Sequence, residues 1–187
     1  MTRHTLLIVA PLCLFICAAA CSPPPTTEYR PASTIKDIMD SIVDPSADGI
    51  WDSVEVIATL QGTTEKSPKT DDDWKALRRH AIALIEASNL LVMPGRHIAQ
   101  PGEKAEDARI DMHPEEIEAL VSKDRASWTK LAFGLQDAGV QNLKAITARD
   151  VKQLIDAGEV LDMACESCHK KYWYRNDPNA LPSQGSQ

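Results

Sequence analysis

The stretch TARDVKQLIDAGEVLDMACESCHKKYW, residues 147–173, has the periodicity of a long amphipathic helix. Its first four residues have the spacing of a capping box, in which side chains satisfy backbone N–H groups at a helix start. Apolar and small side chains then recur every three or four residues, which places them on one helix face. They are Val151, Leu154, Ile155, Gly158 and Leu161. The pattern predicts a helix whose last turns carry the motif CESCH, residues 165–169.

The segment from about Ser33 to Leu60 has the same helical periodicity. Its apolar stripe consists of Ile35, Ile38, Met39, Ile42, Val43, Ile50, Trp51, Val54, Ile57 and Ala58. The dipeptide Asp44-Pro45 interrupts this stripe. Because a helix tolerates proline well in its first turn but poorly in its interior, the segment is either one kinked helix or two helices in tandem.

Two more helices are predicted between that segment and the last one. The first begins after Thr70, where three successive acids suit the positive end of the helix dipole, and stops at Pro94-Gly95. The second has Pro114 in its first turn and ends at Gly139. The sequence after the N-terminal region shows no strand alternation of any length.

Four amphipathic helices without strands predict an all-α fold, an antiparallel four-helix bundle over residues 33–177 with a flexible tail at 178–187. The polar connection 95–113 is long for a compact bundle, and such loops are often either functional or simply an excursion of the chain. The 187 residues suit one domain, and 43% hydrophobic with 25% charged residues is ordinary for a globular protein. The formal net charge of −7 argues against nucleic acid as a partner, because phosphate binding needs a basic face.

The N-terminus has the features of a secretory signal. Residues 1–20 combine a positive start at Arg3, an apolar run too short for a membrane span and a small-residue end. A proline-rich linker follows at residues 21–32. Three consecutive prolines favour an extended conformation there, so the linker can serve as a tether.

The residues AAAC at 18–21 resemble the lipobox of bacterial lipoproteins, in which the cysteine becomes a lipidated N-terminus. Ordinary signal cleavage near Ala20 is the alternative. Lipidation of Cys21 would anchor the domain to a membrane. Ser22 follows, where an aspartate would favour the inner membrane by analogy with other lipoproteins. We therefore expect a domain on the periplasmic side of a Gram-negative envelope, anchored to the outer membrane.

The cysteine count isolates one pair of thiols. Cys13 and Cys17 leave with the signal, and Cys21 is used for lipid if the lipobox is real, so the mature domain keeps Cys165 and Cys168. Two thiols separated by two residues can form thioethers with the two vinyl groups of a haem. The histidine that follows them can then ligate the iron. The spacing predicts one covalent haem c.

Two other uses of these thiols are less well supported by the sequence. A structural zinc site needs four ligands, and the expected mature domain has no second cysteine pair, while His80, His97 and His113 are scattered. A thioredoxin-like redox pair lies in a βαβ setting near a helix N-terminus, where the thiolate is stabilised. Here the pair comes late in a predicted helix. Haem attachment is the interpretation that fits this position.

A long helical pattern that ends in a C-terminal CxxCH resembles the cytochrome c-prime family and its low-spin c-type relatives. The resemblance rests on residues 164–172, ACESCHKKY, and on Trp128 with Leu131, Ala132 and Leu135 in the third helix. The family often places a basic residue after the aromatic that follows CxxCH, as a contact to a haem propionate. This chain has Trp173 at that place, and Arg175 is the substitute.

The resemblance also implies the remaining ligands and the function. His169 is the proximal iron ligand, and the distal residue of the family lies on the first helix, where Met39 is the candidate. A methionine ligand implies an electron carrier that meets a redox partner protein. If Met39 only packs in the core, the implied function is binding of NO or CO. We expect no enzyme activity, because the first helix offers no distal His/Arg pair. Relatives dimerise through their first two helices, which implies a homodimer.

Overall fold

The computed structural model describes residues 29–60 and 62–175. The expected signal peptide, the lipidation site Cys21, the linker up to residue 28 and the tail 178–187 lie outside the described residues. The described part is mostly helical, as the periodicity predicts, with six α-helices, one π-helical segment and one β-hairpin. None of the described helices is both long enough and apolar enough to cross a membrane.

The first helical segment combines two helix types. Helix α1 covers Ile35–Ile38, a π-helical segment covers Met39–Val43, and α2 covers Asp44–Trp51. The N–H of Asp44 donates to the carbonyl of Met39, five residues earlier. Pro45 has no N–H to donate to the carbonyl four residues before it, and its ring would crowd that carbonyl. The wider π turn relieves this crowding. At the predicted interruption the chain therefore passes from α1 through the π-helical segment into α2 without a break in the helical path.

The prediction of a helix to Leu60 is wrong, because α2 ends at Trp51. The backbone N–H and the hydroxyl of Ser53 both donate to the carbonyl of Ile50, at 3.2 and 2.6 Å. These two bonds take up a carbonyl at the end of the helix. The chain then leaves the helical path.

The prediction that the domain has no strands is also wrong. Strand β1 covers Glu55–Thr59 and strand β2 covers Gly62–Lys66, and they pair antiparallel from Glu55 opposite Lys66 to Thr59 opposite Gly62. Gly62 has φ +135°, a conformation that L side chains rarely adopt. A glycine therefore suits this first position of β2.

Helix α3 covers Asp71–Leu91 and begins as predicted. Thr70 and Asp73 form a capping box, in which each side chain accepts a backbone N–H of the other residue. The helix ends at Leu91, three residues before Pro94 of the predicted stop at Pro94-Gly95. An irregular connection then leads to the next helix.

The third predicted helix is divided and longer than expected. Helix α4 covers Pro114–Lys123, and α5 covers Arg125–Ala148 with Asp124 as its N-cap. The predicted end at Gly139 is wrong, since this glycine lies inside α5. A Cβ built on Gly139 would lie 3.0 Å from Cγ1 of Ile85 in α3. The glycine therefore serves close helix packing rather than helix termination.

Helix α6 covers Val151–Tyr172 and carries the CxxCH motif in its last turns, as predicted. Its start differs from the predicted capping box, because Thr147 still belongs to α5. Arg149 takes the left-handed conformation with φ 54°, and Asp150 then caps α6 by accepting the N–H of Gln153 at 3.0 Å.

The long helices share one core. Helix α3 packs most extensively on α5, α5 packs on α6, and the first helical segment packs on α3. The largest fully buried side chains are Ile38, Ile50, Leu84, Ser88, Asn142, Leu154 and Leu161. The amide Nδ2 of Asn142 donates to the carbonyls of Ala138 and Ala157, at 3.0 and 2.9 Å, and so joins α5 to α6. This core fixes the position of α6 relative to the first segment.

Candidate functional site

Two adjoining cavities lie between the first helical segment and the C-terminal turns of α6. The larger has a volume of about 220 Å³ and the smaller about 30 Å³. Five residues line both cavities: Met39, Asp44, Trp128, Cys168 and His169. Cys165 lines the smaller one. The structure thus brings together the four residues that the sequence predicts to attach the haem or ligate its iron.

The remaining walls of the smaller cavity are apolar. They are formed by Val43, Leu91, Leu131, Ala132, Leu135 and Ala164. Trp128 is 4% exposed, and its indole N–H donates to the carbonyl of Leu91 at 2.8 Å. Its ring also meets Tyr172 edge to face at 5.2 Å between centroids. Trp128 therefore stands as a fixed aromatic wall with its polar atom satisfied.

The connection after α3 closes the larger cavity. The N–H groups of Ile35 and Lys36 donate to the carbonyls of His97 and Ile98, each at 2.9 Å. At its other end the N–H of Met112 donates to the carbonyl of Trp173 at 2.8 Å. The loop 95–113 is therefore bonded to the first helical segment and to the end of α6, and it contributes Ile98 and Glu106 to the cavity wall.

Burial disfavours the thiolate form of both motif cysteines. It raises the pKa of Cys165 to about 12, and the Asp44 carboxylate acts in the same direction. Burial also raises the pKa of Cys168 to about 11, although Lys171 opposes this shift. A redox-active pair needs a lowered thiol pKa, so these surroundings are opposite to those of a thioredoxin-like site.

His169 is half-buried and is flanked by the side chains of Glu166, Trp173 and Tyr174. Its ring lies 5.8 Å from that of Tyr174, in an edge-to-face arrangement, and 6.4 Å from that of Trp173. The Nδ1 atom lies 3.9 Å from Oε1 of Glu166, one helical turn earlier. Burial raises the pKa of the Tyr174 hydroxyl, and the Glu166 carboxylate adds to this effect.

The basic residue at the cavity differs from the one expected. Arg175 is engaged elsewhere, because its guanidinium donates to Glu116 at 2.8 Å and to the carbonyls of Ala108 and Asp111 at 3.0 and 2.9 Å. Lys36 lines the larger cavity instead, with its Nζ 3.5 Å from Glu103. Sequence analysis missed Lys36, and its position about one helical turn before Met39 was the available signal.

Asp44 is a second residue that sequence analysis missed. Its position beside Pro45 suggested only a helix interruption, yet it lines both cavities. Burial at this wall raises the pKa of the Asp44 carboxyl, and His169 opposes the shift, although the residue as a whole is largely exposed. It is therefore the one carboxylate shared by the two cavities.

The other histidines lie apart from the motif. The ring of His80 packs against Gly49, and Nδ1 of His97 lies 3.2 Å from Glu118. The backbone N–H of His113 donates to Glu116 at the start of α4. Within residues 29–60 and 62–175, no three His, Cys, Asp or Glu side chains are grouped so that they could hold a metal ion. The described residues therefore do not assemble a zinc site of the usual kind.

The donor set fits a covalently attached haem. Two thiols and an imidazole stand on α6, and the thioether of Met39 stands on the facing segment. The free volume is smaller than a porphyrin, so haem binding would have to part the side chains that separate the two cavities.

Comparison with protein-family models, curated proteins and solved structures gave no match to this chain.

Proposed function

We propose that this chain is a monohaem c-type cytochrome, related to the cytochrome c-prime family, that transfers electrons on the periplasmic side of the envelope. One observation supports the proposal above the others. Met39 of the first segment lines the same two cavities as Cys168 and His169 of α6. These residues are about 130 positions apart in sequence. Packing alone would not require a soft sulfur ligand and a CxxCH motif to face each other.

In this proposal each residue has a defined role. The thiols of Cys165 and Cys168 would add across the two vinyl groups of the haem to form thioethers, and His169 and Met39 would ligate its iron. The bound haem supplies a one-electron couple between ferric and ferrous iron. Trp128 and the apolar wall of the smaller cavity exclude water, and a low local dielectric favours a methionine-ligated centre of raised potential. No catalytic residue is proposed.

The fold and location are proposed together with the function. We take the segments 35–51, 71–91, 114–148 and 151–172 as the four members of an antiparallel bundle, with the hairpin as an insertion after the first. Cys21 would carry the lipid anchor, and the linker would hold the domain away from the outer membrane. A redox partner protein, and a second copy of the chain as in related dimers, would be its macromolecular partners.

A second function is favoured by one specific feature. The larger cavity leaves about 220 Å³ free beside Met39. If Met39 only walls this space, a diatomic gas such as NO or CO could reach the iron. The protein would then bind gas rather than carry electrons. The two functions differ in whether the sixth coordination position is filled.

The visible spectrum of the matured protein, oxidised and reduced, with and without CO, tests both. Sharp reduced bands that ignore CO, with a weak near-infrared sulfur-to-iron band in the oxidised form, support the electron carrier. A broad high-spin spectrum that sharpens with CO supports gas binding. Met39→Ala should convert the first spectrum into the second while haem is retained. Met163→Ala, at a methionine that is 59% exposed, is the matched control and should change nothing.

Haem attachment is tested independently of the ligand. Cys168→Ala should abolish stable covalent haem in a denaturing gel stained for haem peroxidase activity. A full stain in this variant would overturn the cytochrome proposal. Labelling with radioactive palmitate tests the anchor, and a wild-type chain without label would remove Cys21 from the proposal.

A further inference from the structure

Glu166, inside the CxxCH motif, lies between the histidine and a tyrosine. Its Oε1 is 3.9 Å from Nδ1 of His169 and accepts a hydrogen bond from the hydroxyl of Tyr174 at 3.2 Å. The rings of His169 and Tyr174 meet edge to face. One carboxylate oxygen therefore faces both the imidazole nitrogen and the phenol.

The backbone around these three residues is well fixed. Glu166 and His169 are three residues apart on α6, so their side chains share one face of the helix. Tyr174 follows the helix and is paired in a β-bridge with Asp111, and its N–H donates to the carbonyl of His169 at 2.9 Å. The phenol is thus held where it can orient the carboxylate.

A second charged group approaches the same carboxylate. The Nζ of Lys170 lies 3.7 Å from Oε2, the oxygen that does not face the histidine. Lys170 is exposed, with 72% of its side chain accessible, so water weakens this pair. Oε1 remains the oxygen directed at Nδ1.

A carboxylate at one nitrogen of a metal-bound imidazole changes the metal. The hydrogen bond fixes the tautomer, leaves the other nitrogen for the metal, and raises the basicity of the ligand. A more basic imidazole, with a negative charge behind it, stabilises ferric over ferrous iron. The consequence is a lower reduction potential than the same ligands would give alone.

We propose that in the haem-bound protein Glu166, oriented by Tyr174, closes the 3.9 Å separation from Nδ1 of His169, accepts its N–H and lowers the reduction potential of the haem iron. Glu166 is a positioning residue, because it acts through the histidine. This inference rests on the proposed function, since it needs His169 to be the iron ligand. It goes further by naming the groups that set the potential.

The test is the midpoint potential of the haem in three variants of the full matured chain. Glu166→Gln keeps the shape but removes the charge, and we expect the potential to rise. Each tenfold shift of the equilibrium towards ferrous iron in this variant would appear as a rise of about 59 mV in the midpoint potential, because the couple transfers one electron. Tyr174→Phe removes no charge but releases the carboxylate, so we expect a smaller rise. Glu159→Gln is the matched control, with the same substitution on an exposed residue about two turns earlier in α6.

The outcomes separate this inference from the proposed function. If Glu166→Gln keeps its haem and its potential equals that of Glu159→Gln, the inference is overturned and the cytochrome proposal stands. If the wild-type chain carries no covalent haem, both are overturned. If Glu166→Gln does not mature, Tyr174→Phe decides, because an unchanged potential there removes the tyrosine–carboxylate–histidine chain.

Discussion

The Nζ of Lys171, near the end of α6, lies 3.0 Å from a carboxylate oxygen of Asp124, at the junction of α4 and α5. The same carboxylate caps α5 by accepting the N–H of Ser127 at 3.1 Å. Tyr172 adds a longer bond, in which its hydroxyl donates to the carbonyl of Asp124 at 3.4 Å. One aspartate therefore begins a helix and also fastens the turn that follows the cysteine motif.

This arrangement predicts an acid-dependent loss of stability. Hydrogen bonds from Ser127, and then from Lys171, lower the pKa of Asp124 to about 2. The unfolded chain binds this proton more readily, at the ordinary aspartate pKa of about 4. The contribution to stability is therefore complete above that pH and is lost as the pH falls towards 2. Thermal unfolding in this range should show a flatter pH dependence for Asp124→Asn than for the wild type.

The matched control for that measurement is Asp137→Asn, an exposed carboxylate within α5. It should keep the wild-type slope between pH 4 and pH 2. An Asp124→Asn profile parallel to the wild type would show that the carboxylate titrates alike in both states.

Gly49 and His80 predict a strong stability coupling. A Cβ built on Gly49 would lie 2.6 Å from both Cε1 and Nε2 of His80. Gly49→Ala should cost about 1 kcal/mol, because the clash exceeds the helix propensity gained. In a His80→Ala background the same change should stabilise by about 1 kcal/mol. Chemical denaturation of the four proteins of the cycle measures the coupling.

Gly134 provides the comparison for that cycle, since a Cβ built there meets nothing within 4 Å. Gly134→Ala should stabilise α5 by up to about 1 kcal/mol in either background. Additive effects of Gly49→Ala and His80→Ala would contradict the packing described.

The thiols predict slow alkylation of the protein before haem attachment. With pKa values of about 12 and 11, Cys165 and Cys168 are almost wholly protonated at pH 8. Reaction with iodoacetamide should therefore be slow at pH 8 and should rise steeply above pH 10. Mass spectrometry of quenched samples gives the rates, with the denatured chain as the reference. A half-maximal rate near pH 8.5 in the folded protein would mean that the thiols face water.

The buried amide of Asn142 leads us to expect different losses of stability on replacement by leucine and by alanine. Its Oδ1 is buried without a hydrogen-bond partner among the described residues, while its Nδ2 serves two helix carbonyls. Asn142→Leu should change the free energy of unfolding by less than about 1 kcal/mol, because it also removes the unpaired acceptor. Asn142→Ala should cost about 2 kcal/mol, since it leaves a void between α5 and α6. Equal losses in both variants would indicate that the amide is essential.

Local signals determined which helix ends could be predicted. The start of α3 depends on Thr70 and Asp73, three residues apart, so the sequence contains the whole cap. The break at Asp124 depends partly on Lys171, 47 residues away, and the continuation of α5 through Gly139 depends on Ile85. Neither partner is visible in a local pattern, so these two features were missed.

The hairpin was missed for a different reason. Ile57 and Ala58 continue the spacing of the apolar stripe, but short apolar runs fit a strand as well as a helix. The density of β-branched residues between Val54 and Thr64, with Gly62 after a short gap, was the available signal. At the site, Met39 and the CxxCH residues were predicted. The roles of Lys36, Asp44 and Tyr174 depend instead on how the first helical segment, the loop 95–113 and the end of α6 meet.

The five-residue turn Met39–Val43 sets the angular phase between the two halves of the first segment. An ordinary α-helix advances by about 100° per residue, so the extra residue of a π turn rotates everything before it by that amount. Deleting Ser41 would remove that extra residue and turn Met39 away from the cysteines, while Ile50 and Trp51 kept their places. The number of residues in this turn thus sets the direction in which Met39 points. A change of one codon there could separate the Met39 sulfur from the CxxCH residues without replacing any of them.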